Sequence, residues 1–124
     1  MEITTLIECF FWLLVAHALS DWCWQSSFVS ENKDKRVLVM LMHCLAWGGC
    51  LCLPLYYFHL FVWWKAPFLV LFHAPADYAK SWILNRQHNQ LCAKADPNVV
   101  EKAWRLVYID QVYHLIQMII VLVF

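Results

Sequence analysis

Residues 37–64 run for 28 positions without a single Asp, Glu, Lys or Arg. A helix needs about 20 mostly apolar residues to cross the hydrocarbon of a bilayer, so this run supplies one crossing and a turn. A small soluble domain has too little interior to hide it, because much of its surface stays exposed at this size. The rest of the 124-residue chain agrees: 63% of it is apolar and 15% charged, against roughly 45–50% and about 25% in soluble domains. The formal charge is zero, and no cluster of Lys and Arg offers a nucleic-acid footprint. The lipid bilayer is the expected surroundings.

Four segments read as spanning helices of one transmembrane domain over 1–124, at approximately 3–21, 37–58, 67–84 and 97–124. The first is interrupted by Glu8 and His17 and ends at Ser20-Asp21 among Trp22 and Trp24, residue types that favour the interface. Pro67 suits the first turn of the third helix, where its missing amide hydrogen costs nothing. Asp96-Pro97 reads as an N-cap followed by proline at the first helical position of the fourth. Residues 81–105 form the only long polar stretch and read as a connector. The N-terminus lacks a basic leader region, so the first segment is expected to be retained. The fold class is therefore all-α, an integral membrane bundle of four transmembrane helices.

The six cysteines include no CxxC pair and lie mostly in apolar runs, where Cys packs as a small hydrophobe. Basic residues are distributed unevenly. Lys33, Lys35 and Arg36 follow the first helix, Lys65 alone follows the second, and Lys80, Arg86, Lys94, Lys102 and Arg105 lie at or after the end of the third. The excess of basic residues in cytoplasmic loops puts the first and third loops inside and both termini outside, in the inner membrane of a bacterium.

Ionisable side chains near the middle of a spanning helix cost about 2.5–3.5 kcal/mol each and mark function by default. Three pairs here share one spacing: His17/Asp21, His73/Asp77 and Asp110/His114. A separation of four puts both members on one helix face, a turn apart. His43 adds a candidate from the second helix, Gln25 continues the first stripe, Lys80 extends the third, and Gln111 and Gln117 flank the fourth. Because the helices alternate in direction and the pairs alternate with them, all these groups fall at one depth near the cytoplasmic face.

Imidazole and carboxylate are suitable ligands for divalent ions, and facing helices of a bundle can hold them. His17, Asp21, His43, His73, Asp77, Asp110 and His114 are accordingly the expected metal ligands, with zinc first and manganese or iron as alternatives. Asp77, Lys80 and Asp110 are the expected catalytic groups, one Asp as general base and Lys80 as holder of an anion. The competing readings are helix-to-helix hydrogen bonding and a proton or ion pathway. Glu8 is expected to hydrogen-bond inside the bundle, His59 and His88 to lie in loops, and Pro75 to kink the third helix.

The elements AHALSDWCWQ at 16–25, Glu31-Asn32-Lys33, His43, HAPADYAKS at 73–81 and IDQVYHL at 109–115 together resemble a small four-helix membrane family of bacteria and their phages that is catalogued as a domain of unknown function. Relatives often carry a histidine where this chain has Trp47, which implies fewer ligands on the second helix. The polar pattern is similar to that of small membrane-bound metal-dependent hydrolases. By this analogy the chain is expected to hydrolyse phosphoesters or lipid-like substrates. The alternatives are a conducting or transport protein and a phage-type interaction protein, with a second copy or a host membrane protein as partner.

Overall fold

The structure, a computed structural model, describes the backbone of residues 2–23, 26–33, 35–91 and 97–124, and their side chains except those of 22, 23, 85–91 and 97–99. Gln25, Trp24 and Asp96 lie outside the described residues, as do the side chains of Trp22, Arg86 and His88. All described elements are helical: α1 Ile3–Ala18, continued by a π-helical turn Leu19–Cys23, then α2 Ser27–Asn32, α3 Val37–Tyr57, α4 Lys65–Leu91 and α5 Pro97–Val123.

Each long helix turns one regular stripe inward, as a 3.6-residue period requires. On α1 the stripe is Cys9, Leu13 and His17. That register leaves Glu8 on the exposed side, so the expectation that Glu8 bonds inside the bundle is corrected. The π turn then carries the stripe on to Asp21, which is buried. Ser20 serves the carbonyls where the helix widens, its hydroxyl donating to Ala16 O at 2.8 Å and to His17 O at 3.1 Å. Such π insertions are rare and occur mostly at functional sites.

Helix α2 is a short element that hydropathy gave no reason to expect. Ser26 caps it by accepting from the Val29 amide at 3.3 Å. Its end delivers Lys33 to the interior, where only 3% of the residue is exposed.

Helix α3 buries Met40, His43, Cys44, Trp47, Gly48, Leu51 and Leu55. It closes in a Schellman motif: Leu60 N donates to Leu55 O at 2.7 Å and His59 N to Tyr56 O at 3.1 Å. His59 takes the left-handed position at φ 58°, where Gly is usual. Helix α4 buries Lys65, Leu69, His73, Asp77 and Ser81, every fourth residue. It passes through Pro75 as a helix and reaches Leu91, so the stretch expected as a connector is helical over its first half. Pro75 leaves the Leu71 carbonyl without its amide partner, and the adjacent Phe72 carbonyl accepts from Tyr113 Oη at 3.0 Å.

The neighbour order is a closed ring: α1 packs on α3 and α5, α3 on α4, and α4 on α5. Trp47 of α3 meets His17 of α1, and Lys80 and His73 of α4 meet Asp110 and His114 of α5. Ring neighbours therefore run antiparallel, the up-and-down arrangement that short connections favour. At one end the interior is apolar, built from Cys9, Leu13, Leu51, Leu55, Leu69, Met118, Val121 and Leu122, with Trp47 at its boundary. The other end is polar.

The outer surface is the reverse of a soluble protein's. Ile3, Ile7, Phe11, Leu38, Leu45, Leu53, Leu71, Ile109 and Val123 face outward. Among the described residues, three helical segments are long and apolar enough to cross a membrane: Ile3–Asp21, Val37–Tyr57 and Val100–Val123. Helix α4 is not among them, because His73, Asp77 and Lys80 interrupt its apolar half and a polar extension follows.

Candidate metal centre

All seven expected ligands are buried and lie in the polar half of the bundle: His17, Asp21, His43, His73, Asp77, Asp110 and His114. The π turn presents Asp21, α3 presents His43, α4 presents His73 and Asp77 one turn apart, and α5 presents Asp110 and His114.

Within this cluster one group converges most fully. One ligand atom from each of Asp21, His43, His73 and Asp77 lies within 4.8 Å of the others. His43 Nε2 faces His73 Nε2 at 3.3 Å, Asp77 Oδ2 at 3.2 Å and Asp21 Oδ1 at 3.7 Å, and His73 Nε2 lies 4.0 Å from Asp77 Oδ2. Two ligands each about 2.0–2.1 Å from a tetrahedral ion stand about 3.3 Å apart. The His43–His73 and His43–Asp77 separations match that edge, and the His43–Asp21 and His73–Asp77 separations exceed it by about 0.4 and 0.7 Å. Among neutral imidazoles and carboxylates, four acceptor atoms facing one another are electrostatically unfavourable unless a cation or protons lie between them.

A second group, Asp21, Asp110 and His114, shares Asp21 with the first. Here His114 Nε2 and Asp110 Oδ1 face each other at 3.3 Å. His114 Nδ1 lies 3.4 Å from His73 Nδ1 and 3.2 Å from Gln117 Oε1.

His17 belongs to neither group, because both its ring nitrogens have partners. Nδ1 accepts from Trp47 Nε1 at 3.0 Å, and Nε2 is 2.9 Å from Gln111 Oε1. The Nδ1 contact fixes the tautomer, so Nε2 carries the hydrogen and donates to Gln111. Gln111 Nε2 in turn donates to Asp21 Oδ2 and Asp110 Oδ2, each at 3.3 Å. A chain Trp47–His17–Gln111–Asp21 thus orients the carboxylate from behind, a common support for metal ligands.

Two ammonium groups complete the centre. Lys80 Nζ lies 2.8 Å from Asp77 Oδ1 and 2.6 Å from Asp110 Oδ2. Lys33 Nζ lies 2.5 Å from Asp77 Oδ2. Lys33 entered the sequence reading only as a loop charge and as part of Glu31-Asn32-Lys33. The signal that it belongs to the site is its place in that motif, not its hydropathy. Trp47 forms the floor: its ring stacks on His73 with centroids 4.0 Å apart and planes at 10°, and meets His17 edge-on.

A separate apolar cavity of about 850 Å3 lies between α1 and α3, lined by Trp12, Val15, Leu19, Leu53, Pro54 and Tyr57 among others, and by none of the seven His and Asp residues. It is distinct from the polar centre.

No curated protein and no solved structure matches the chain. The model of one family, described as protein of unknown function DUF3307, matches residues 9–124, a stretch that begins with the buried face of α1 and includes every polar residue of the centre. The chain belongs to this family.

Proposed function

We propose that the chain is a membrane-embedded hydrolase dependent on a divalent metal ion, acting on phosphoesters or lipid-like substrates. The observation that supports this reading is the convergence of one ligand atom each from buried Asp21, His43, His73 and Asp77 within 4.8 Å of one another. Zinc suits the mixed nitrogen and oxygen donors best, with manganese or iron next. A bound ion would lower the pKa of a coordinated water toward 7 and so supply hydroxide at neutral pH.

The chain's own residues supply the rest. Asp21, Asp77 and Asp110 bring three negative charges, and Lys33 and Lys80 two positive ones. With neutral histidines and one divalent ion the centre carries a single positive charge, which matches a phosphodiester or another monoanion. Lys80 and Lys33 hold the anion. Asp110, bonded to Lys80, is the carboxylate available for proton transfer. Helix α4 crosses the bilayer with the other three, since its antiparallel neighbours α3 and α5 enclose its polar stripe. The excess of basic residues in the first and third loops supports a position of the centre near the cytoplasmic face of a bacterial inner membrane.

Elemental analysis of detergent-purified protein tests the reading, beside a His43→Ala, Asp77→Ala variant whose helicity is checked by circular dichroism. Stoichiometric metal in the wild type and its loss in the variant, followed by metal-dependent hydrolysis in a screen of phosphodiesters and phospholipids, is the expected result. Absence of metal after reconstitution with zinc, manganese and iron would sink it. The unbroken contacts His43–His73–His114 favour a second reading, a proton or ion pathway, for which flux across liposomes that depends on His73 is the check.

A further inference from the structure

We infer that the centre binds one ion per chain rather than two, and that His114 is a positioning residue: it fixes the tautomer of His73 instead of binding metal. This rests on the metal reading above and assigns the second group of acceptors a different task.

The argument starts at His73. To offer a lone pair from Nε2 toward Asp21, His43 and Asp77, its ring must carry the hydrogen on Nδ1. The nitrogen facing that position is His114 Nδ1 at 3.4 Å. His114 Nδ1 then accepts, so its own hydrogen is on Nε2, which faces Asp110 Oδ1 at 3.3 Å without a hydrogen bond between them. A protonated Nε2 and an accepting Nδ1 leave His114 no lone pair for an ion.

Charge points the same way. Of the two carboxylates of the second group, Asp110 already has a cation, since Lys80 Nζ binds its Oδ2 at 2.6 Å. One divalent ion brings the three Asp and two Lys to a net charge of plus one, whereas a second would raise it to plus three inside an apolar bundle, where uncompensated charge is costly. Lys80 thus brings to Asp110 positive charge that a second metal would otherwise supply, and the contacts run from Lys80 through Asp110 and His114 to His73.

The experiment uses the full chain in detergent, loaded with Zn2+ for stoichiometry and with Co2+ for affinity and the visible spectrum, beside His114→Leu, His114→Asn and His73→Ala. The expected results are one ion per chain in the wild type and none in His73→Ala. His114→Leu should keep one ion at affinity reduced roughly 10–100-fold, as for other groups that orient metal ligands. His114→Asn, whose Oδ1 can stand in for Nδ1 as acceptor, should recover most of that affinity with the wild-type Co2+ spectrum. A merely structural role would alter stability and leave the affinity of the folded fraction unchanged. Two ions in the wild type falling to one in His114→Leu would overturn the inference and leave the metal reading intact, as would unchanged affinity in His114→Leu. No ion in the wild type would overturn both.

Discussion

Asp77 is a carboxylate held between two ammonium groups, Lys33 at one oxygen and Lys80 at the other, with none of its own surface exposed. Removing one member of such a buried pair leaves an uncompensated charge, at a cost of about 3–5 kcal/mol. Lys33→Met should therefore destabilise the metal-free protein by an amount of this order, read as a lowered midpoint of thermal unfolding in detergent. Metal should restore part of the loss, because a cation beside Asp77 replaces the missing one. An equal loss with and without metal would refute the placement of the ion against Asp77. At this scale the sequence was informative wherever a polar residue interrupts an apolar run, which is why it singled out seven His and Asp residues that the fold buries. It was silent on Lys33, whose hydrophilic loop looks like any other until the chain folds back and buries it. It also could not separate His17 from the converging group, since that depends on the Trp47 indole reaching its Nδ1.

Adjacent glycines on α3 have opposite surroundings. A Cβ at Gly48 would stand 2.8 Å from Val70 Cγ2, whereas one at Gly49 would meet nothing within 4 Å. Gly48 lets α3 approach α4, the role small residues play between membrane helices, and the β-branched Val70 has little rotamer freedom to yield. Gly48→Ala should lower stability by about 1–3 kcal/mol through overpacking. Gly49→Ala should be neutral or stabilising by up to about 1 kcal/mol, the helical advantage of Ala over Gly. Equal effects in thermal unfolding would contradict the close approach. The helices with strong apolar runs, α1 and α3, were legible nearly to their ends. The π turn, α2 and the extension of α4 were not, because polar helices carry no hydropathy signal and a π turn depends on how Ser20 and its neighbours share carbonyls.

For the molecule as a whole, the ring of antiparallel neighbours places both chain ends on the side opposite the polar centre, provided α4 crosses with the rest. Reporter fusions at the N- and C-termini should therefore report the same compartment, and opposite compartments would show that α4 does not span. The common depth of the polar groups was legible from the alternation of the pairs along the chain. The ring order was not, because it depends on which faces interlock. Trp47 gives this architecture an electrical consequence. The polar half lies toward one end of the bundle, while Trp47 and the fully buried Leu13, Leu51, Leu55, Leu69 and Val121 fill most of the other, where Lys65 is also buried. In a bilayer, voltage falls mainly across the dry, low-dielectric part of the path. The centre thus lies to one side of this apolar layer, and its ion occupancy should follow the chemistry of the compartment on that side with little dependence on membrane voltage. Through-conduction would require the Trp47 ring to leave its stack on His73.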